Sequence, residues 1–436
     1  MTIYIPIENY VILIYFALIL LSIYLFFRII FGKGIIIWSD PLHINIILLV
    51  FYTTGFLCYP VFFPMNTEFL TIIFMILVFI VTGGIVSSFV RVNYSHLDIS
   101  YSLQKYLVQF ILLITVLNII INLFFGHIPL LHGSHTKHLV GQNSRLLFWL
   151  SDIVVGYALV LLVFTKYKGI KKYCVIIIIF EIFRVLLYAS KGVILDIVKY
   201  FIAYHFLMYI KTKNAVDDSE KVYFQKVNKK FLRYIFIGTI VAFLISPLYL
   251  MYITKYSDPI QASLFLIRRL FGGFDQLFLM LFHNFDLKSH GLSLFELYFL
   301  PFLKVFKYEP LAHSSIDYFI NEILGISDST KMMTLPNPNL IMDVIFSNGV
   351  YLGTIILVFF SFMNFYFRKR VLSFKNITLF RLIMFKIFVM NPLKIFLDAQ
   401  NFFVGLILSL LIYFCYFIFS GLIISLPKND PQVLLK

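Results

Sequence analysis

A succession of long apolar windows constrains this chain more than any other feature. Eleven windows are long enough to cross a bilayer as helices. Lipid offers no hydrogen-bond partners to the backbone, so continuous runs of this length predict helices rather than the alternating strands of a barrel. The windows lie at 10–31, 43–63, 68–90, 106–125, 147–165, 173–190, 193–210, 234–253, 340–365, 376–392 and 401–425. The tenth is the weakest, because Arg381 and Lys386 interrupt it.

The overall composition agrees with a membrane protein. The chain is 61% hydrophobic and 13% charged, whereas a soluble domain is about half apolar and about a quarter charged. We therefore predict an all-α, polytopic transmembrane bundle of about 11 spans, forming one integral membrane domain over residues 1–436. The N-terminus has no basic residue before its apolar run, so the first span is predicted to be an anchor rather than a cleaved signal.

The distribution of basic residues predicts the topology. Cytoplasmic loops of membrane proteins accumulate Lys and Arg, so the formal net charge of +15 reflects orientation rather than nucleic-acid binding. Alternating the loops places all the basic ones on one side, with the N-terminus outside and the C-terminus cytoplasmic. These loops contain Arg28 and Lys33, Arg91 and Lys105, residues 166–172, 211–233 and 368–375, and the C-terminal tail.

The longest segment on the opposite side, residues 254–337, is predicted to be a large extracytoplasmic loop containing amphipathic helices. In it, Gln261, Arg268, Asp275 and His283 recur at steps of seven or eight, with Arg269 beside Arg268. Such steps place polar side chains in one stripe on a helix. The stripe either holds an anionic group or simply faces water at the membrane surface.

Several charged residues fall inside spans, where ionisable groups are costly and often functional. Glu181 and Arg184 are three residues apart, so they share a helix face and can pair. Lys191 lies seven residues beyond Arg184, on the same face near the end of that span. The alternative is a pair that only fixes helix packing, with Lys191 reaching the headgroups.

The remaining polar candidates lie in the outer segments. His132, His135 and His138 are evenly spaced, but their segment contains no Cys or carboxylate, so no metal site is predicted. The three cysteines, which are far apart, suggest neither a disulfide framework nor a zinc motif. No cofactor is predicted.

Arg145 enters the fifth span where it could meet a phosphate. His313 is a candidate proton acceptor, or else a hydrogen-bonding loop residue. Asn339 follows a Pro-Asn-Pro turn and is predicted either to contact a ligand or to cap the helix that begins there.

These motifs together resemble the bacterial O-antigen polymerases, or oligosaccharide repeat-unit polymerases. The resemblance rests on GHIPLL leading to Arg145, ASKG at 189–192, Arg268 followed by Asp275, and F-S-N-G-x-x-x-G from Phe346 to Gly353. Where relatives often show S-R-G after the sixth span, this chain has Ser190-Lys191-Gly192.

The resemblance implies a metal-independent, GT-C-like glycosyltransferase of the bacterial inner membrane. It would transfer a growing glycan from undecaprenyl pyrophosphate onto the next lipid-linked repeat at the periplasmic face, with a chain-length regulator as a possible partner. His313 and Asp275 are the implied proton acceptors. Pyrophosphate or substrate binding falls to Arg145, Arg184, Lys191, Arg268, Arg269 and Asn339.

Two rival functions remain open. A ligase that moves finished polysaccharide onto lipid A core releases the same leaving group. A lipid-linked oligosaccharide flippase would also need cations inside the bundle, but transporters usually show inverted repeats and broken helices in corresponding halves, and the sequence indicates neither here.

Overall fold

The computed structural model describes residues 10–58, 65–88, 96–124, 155–187, 193–213, 251, 274–282, 287–303, 319, 339–373 and 376–423. Nearly all of these are helical. In chain order the helices are α1 (Tyr10–Phe31), α2 (Pro41–Leu57), α3 (Thr67–Ser87), α4 (Tyr101–Phe124), α5 (Val155–Phe164), α6 (Lys168–Leu187), α7 (Val193–Lys213), α8 (Asp275–Phe282), α9 (Leu294–Leu303), α10 (Leu340–Leu372), α11 (Leu379–Phe385), α12 (Lys394–Leu397) and α13 (Ala399–Ile423). A 3₁₀ turn (Gly32–Gly34) follows α1, and a π-helical turn (Lys386–Met390) follows α11.

Four of the described helices are long and apolar enough to cross a membrane. They are Phe16–Gly34, Thr67–Ser87, Tyr101–Ile121 and Leu340–Leu372, and Pro41–Leu57, Val155–Phe164 and Ala399–Cys415 are shorter apolar helices. Large apolar side chains on these helices are exposed, including Ile29, Ile85 and Ile355. Exposed apolar surface of this extent requires a lipid environment. The protein is therefore a helical membrane protein, as the sequence predicts.

Side-chain caps fix where α2 and α3 begin. The carboxylate of Asp40 accepts a hydrogen bond from the Leu42 amide at 2.9 Å, and Pro41 occupies the first helical position. The side-chain oxygen of Asn66 accepts one from the Phe69 amide at 2.9 Å. Each cap satisfies an amide that the helix leaves without an internal partner.

The most extensive helix pair is α3 with α10. The Ser361 hydroxyl of α10 donates to the Phe79 carbonyl of α3 at 2.7 Å. A Cβ atom at Gly83 would lie 2.3 Å from the Phe365 ring. Small residues let membrane helices approach closely, and here Gly83 gives Phe365 its place between the helices.

Several contacts bring segments of the predicted basic loops together at the end of the bundle where Arg368 lies. We call this the Arg368 end. Strand β1 (His96–Leu97) pairs in parallel with β2 (Asn376–Ile377). The Thr165 hydroxyl after α5 donates to the side-chain oxygen of Gln104 at 2.6 Å. The predicted topology puts all these segments on its basic side.

The predicted tenth span has a different structure. Residues 376–392 contain β2, the seven-residue α11 and the five-residue π-helical turn, after which the chain turns at Asn391. Twelve helical residues extend about 18 Å, which is short of the ~30 Å hydrocarbon core. The apolar content that predicted a span is instead buried among other helices.

Candidate functional site

Helix α10 is broken at Gly349, which has φ 69° and ψ −177°. This conformation is open to glycine and strained for residues with a side chain. The break separates residues 340–348, which we call the entry helix, from the long span 350–372. The sequence predicts one continuous span at 340–365, and the structure corrects that expectation.

A segment from the predicted large loop braces this break. The amide of His290 donates to the Phe346 carbonyl at 2.7 Å, and the Ser289 hydroxyl donates to the Ser347 carbonyl at 2.8 Å. Gly291, with φ 74°, lets the chain turn immediately afterwards. Carbonyls that lose their helical partners at a break need substitutes inside a membrane protein, and this segment supplies them.

The entry helix folds back sharply onto the span that follows it. A Cβ atom at Gly353 would lie 3.1 Å from the Val344 carbonyl oxygen, although residues nine apart in a straight helix are separated by about 13.5 Å. The F-S-N-G-x-x-x-G motif thus acquires a physical role. It contains the two braced carbonyls, the break, and the glycine that permits the close return.

Burial changes abruptly at the break. Every residue from Leu340 to Phe346 is at most 2% exposed, whereas Tyr351 is 91% exposed. Residues 340–346 of the entry helix are therefore enclosed by protein on all sides, while the following span has one face exposed and the other packed against α3. The polar residues of this enclosed stretch are consequently placed inside the molecule.

Asn339 caps the entry helix. Its side-chain oxygen accepts a hydrogen bond from the Met342 amide at 3.0 Å, and its side chain is fully buried. Of the two roles that the sequence leaves open, the structure shows the helix cap. Its role in pyrophosphate binding stays a prediction.

The only buried carboxylate of the entry helix, Asp343, faces Tyr298 of α9. The Tyr298 ring stacks on Phe403 of α13, with centroids 4.5 Å apart. Burial, followed by the negative charge of Asp343, raises the pKa of the Tyr298 hydroxyl well above its usual value. Tyr298 is thus a protonated donor beside a carboxylate acceptor, an arrangement that can orient a hydroxyl group or hold a proton.

The predicted pairing of Glu181 with Arg184 is confirmed. Arg184 Nε donates to Glu181 Oε2 at 2.9 Å, and Arg184 Nη2 donates to Glu181 Oε1. Both side chains are buried on α6, which packs against α4. The bidentate geometry suits a charged pair that is withdrawn from water.

Asp275, one of the two predicted proton acceptors, is the first residue of α8. Phe274, immediately before it, packs edge-on against Phe56 and Tyr52 of α2, with centroid distances of 6.2 and 6.1 Å. These contacts attach the start of α8 to the membrane helices. Of the segment 259–285, which carries the predicted polar stripe, the structure describes residues 274–282, and these include Asp275.

The other predicted site residues are Arg145, Lys191, Arg268, Arg269 and His313, which lie outside the described part of the chain. The structure therefore leaves their roles as predictions. Among the residues that are described, no group of three or more His, Cys, Asp or Glu side chains could hold a metal ion.

Lys386, which in the sequence analysis only interrupts the tenth apolar window, is a buried cation. It is 5% exposed on the π-helical turn, and its Nζ lies 5.3 Å from the centre of the Tyr200 ring. Gly156 of α5 makes room for it, since a Cβ atom there would lie 2.5 Å from the Lys386 Cβ. A basic residue in the middle of an apolar window was the available signal.

The Arg368 end is held by a second buried ion pair. Arg368 Nη2 donates to both carboxylate oxygens of Asp40, at 2.8 and 2.7 Å, and Nη1 donates to the Gly34 carbonyl at 3.3 Å. Asp40 also accepts from the amide of Ile36 at 3.1 Å. This pair joins the connection between α1 and α2 to the end of α10.

Comparisons with known proteins identify no relative for this chain. No family model, no curated protein and no solved structure matches it.

Proposed function

We propose that this protein is a membrane glycosyltransferase that polymerises undecaprenyl-pyrophosphate-linked oligosaccharide repeat units. The observation that carries the proposal is the braced helix break at Gly349. It falls within the F-S-N-G-x-x-x-G motif on which the resemblance to repeat-unit polymerases partly rests. It also puts buried Asn339 and Asp343 on a helix whose far end is braced by a segment of the predicted large loop.

The proposed reaction takes place at the outer face of the inner membrane, with the C-terminus cytoplasmic. The acceptor sugar hydroxyl attacks the anomeric carbon of the growing chain. The bond to the pyrophosphate oxygen breaks, and its electron pair leaves with undecaprenyl pyrophosphate. The acceptor's proton passes to a protein base, for which His313 and Asp275 are the candidates.

Cations assist the departure of pyrophosphate by stabilising the charge that develops on it. Arg145, Arg184, Lys191, Arg268 and Arg269 are the proposed groups. Within this proposal, Asn339 supports the site by fixing the start of the entry helix. The Tyr298–Asp343 pair adds a donor and an acceptor beside it.

The second candidate is a flippase for the same lipid-linked oligosaccharide. A broken membrane helix and buried charges such as Glu181–Arg184 and Lys386 also occur along transport pathways. The two candidates differ in whether polymer forms when substrate is supplied directly on the outer side.

The test is the surface-polysaccharide pattern of a strain in which the gene is deleted and then restored. We expect the deletion strain to carry core plus a single repeat, and the wild-type gene to restore the full ladder. His313→Ala and Arg268→Ala should fail to restore it at equal expression. Loss of even the single-repeat band in the deletion strain would place the step at transport or ligation and overturn the proposal.

A second assay separates the enzyme from the flippase. Purified protein in lipid nanodiscs receives the lipid-linked repeat unit, which is accessible from both faces. A polymerase lengthens the glycan under these conditions, and a flippase leaves it unchanged.

A further inference from the structure

A group of lysines lies at the Arg368 end, where α4 and α6 begin. Its members are Lys105, Lys166, Lys168, Lys171 and Lys172, and we call them the lysine patch. All are exposed except Lys171, which is half-buried. Within the part of the chain that the structure describes, none of their ammonium groups makes an ion pair or a hydrogen bond. The stretches 99–124 and 155–180, which carry the patch, contain no Asp or Glu, so its positive charge is not neutralised locally.

Contacts between α4 and the connection that precedes α6 hold the patch together. The Thr165 hydroxyl donates to the side-chain oxygen of Gln104 at 2.6 Å. Lys105 and Lys166 directly follow these two bonded residues. Helices α4 and α6 also pack against each other, and both begin at this end. Their first turns, which carry the other lysines, therefore lie side by side.

The patch lies at the depth of the lipid headgroups. Tyr101 is the first residue of a helix that is long and apolar enough to cross a membrane. Its ring meets the Tyr167 ring edge-on, with centroids 4.5 Å apart. Both rings are exposed, as are Tyr106 and Tyr173 one turn further along α4 and α6. Tyrosines favour the boundary between lipid and water, and lysines there extend their ammonium groups toward the headgroups. A partner of the patch is consequently found at the membrane surface.

The lysines occupy an unfavourable position unless an anion is present. The start of a helix carries partial positive charge and favours Asp or Glu. Neither α4 nor α6 has an acidic residue in its first turn, and Lys168, Lys171 and Lys172 fall within the first five residues of α6. Membrane topology requires basic residues on one side, but it does not require them at a helix start. Arg28, by contrast, lies in the last turn of α1, where the helix dipole favours a cation.

We propose that the lysine patch binds the headgroup phosphates of anionic phospholipids in the leaflet around the Arg368 end. Basic residues between neighbouring membrane helices suit such headgroups, because several ammonium groups can approach one phosphate from both helices. Phosphate also compensates the positive ends of α4 and α6. The inference does not depend on the proposed function, since it concerns lipid binding and not glycan transfer.

The test compares two double variants that each remove two exposed cations. Lys168→Gln with Lys172→Gln removes two charges of the patch, one turn apart on α6. Arg28→Gln with Lys33→Gln is the matched control, because these residues are exposed at the end of α1 on the same predicted basic side. Phosphatidylglycerol is titrated into the full-length, delipidated protein in an uncharged detergent, and binding is measured by native mass spectrometry. Phosphatidylcholine, which has no net charge, is the reference lipid.

We expect the wild type to bind phosphatidylglycerol more tightly than phosphatidylcholine. The patch double variant should bind phosphatidylglycerol about 25-fold more weakly, because each lysine near an anionic headgroup contributes about fivefold. The control double variant should stay close to the wild type. Equal losses in the two double variants would show a general attraction between a basic protein and anionic lipid, and would overturn the inference. Equal affinity of the wild type for the two lipids would overturn it as well.

Two further measurements separate this site from a structural role and from a site for soluble phosphate. In detergent without lipid, the patch double variant should unfold at the wild-type temperature or slightly above it, because it loses two cations from the start of α6. A lower unfolding temperature would mean that the lysines stabilise the fold and would contradict the proposal. Inorganic phosphate at millimolar concentration should leave phosphatidylglycerol bound, and displacement by it would identify a soluble anion as the ligand instead.

Discussion

Two buried carboxylate–guanidinium pairs occupy contrasting positions in this protein. Asp40 and Arg368 are 328 residues apart in sequence, and their contact joins the connection after α1 to the end of α10. Glu181 and Arg184 are three residues apart on one helix. Burying two charges is unfavourable unless their bonds compensate for the lost water. The long-range pair joins two distant segments of the chain. The local pair, in contrast, would form in α6 whether or not the rest of the bundle assembled.

The long-range pair also makes further bonds to neighbouring segments. The Asp40 carboxylate caps α2 and accepts from Ile36, and Arg368 donates to Gly34. The first pair therefore stabilises the fold, while the role of Arg184 in binding pyrophosphate stays a prediction.

Breaking the long-range pair should have the largest effect. Arg368→Met leaves Asp40 charged and enclosed, so we expect a loss of about 3–5 kcal/mol in the free energy of unfolding. The measurement is thermal or denaturant unfolding in a fixed detergent. The control is Arg370→Met, because Arg370 is exposed, and its guanidinium donates to the Tyr366 hydroxyl one turn away on the same helix. Equal stability of the two variants would show that the pair does not hold the Arg368 end together.

The local pair should separate stability from activity. Arg184→Met leaves Glu181 without its cation, and we expect the free energy of unfolding to fall by about 1–3 kcal/mol. The loss is limited because a lone carboxylate in apolar surroundings takes up a proton instead of staying charged. The double variant Glu181→Gln, Arg184→Met should regain most of this stability and still fail to restore a polysaccharide ladder. An active double variant would show that the pair only assists packing. The corresponding Asp40→Asn, Arg368→Met double variant should stay unstable, since Asp40 and Arg368 also hold other segments.

The sequence predicted those features that depend on local spacing. The i, i+3 separation of Glu181 and Arg184 was enough to predict their contact, and the Pro-Asn-Pro turn was enough to predict a helix beginning after Asn339. Long apolar windows likewise located most of the described helices. These are properties of short stretches, so one sequence contains the information.

Features that depend on distant segments could not be predicted in this way. The apolar run at 340–365 is continuous, so the break at Gly349 becomes visible only with the Ser289 and His290 contacts that replace its helical bonds. The same applies to Tyr298 beside Asp343, and to Asp40 beside Arg368. In the window 376–392, hydrophobicity alone did not distinguish a span from a short buried helix.

The helix break itself is tested by Gly349→Ala. A side chain at φ 69° is strained, so we expect a loss of about 1–2 kcal/mol and a larger loss of polymerising activity, because the entry helix must shift. Gly405→Ala is the matched control, since Gly405 lies within α13 and a Cβ atom there would meet nothing within 4 Å. That variant should be neutral or slightly stabilising. Comparable behaviour of the two alanine variants would mean that the break is not required.

The smallest effect is expected at Tyr298, and it should depend on pH. Its pKa is raised in the folded protein, so the folded state keeps the proton that the unfolded state releases near pH 10. Its stabilising contribution is therefore complete below about pH 10 and is lost as the pH rises further. Tyr298→Phe should change the free energy of unfolding by no more than about 1 kcal/mol at neutral pH, and above pH 10 the wild type should lose stability that the variant keeps. The measurement is unfolding of both proteins from pH 7 to 11. The difference between them isolates Tyr298 from the other tyrosines, and a pH-independent difference would place the hydroxyl away from the Asp343 charge.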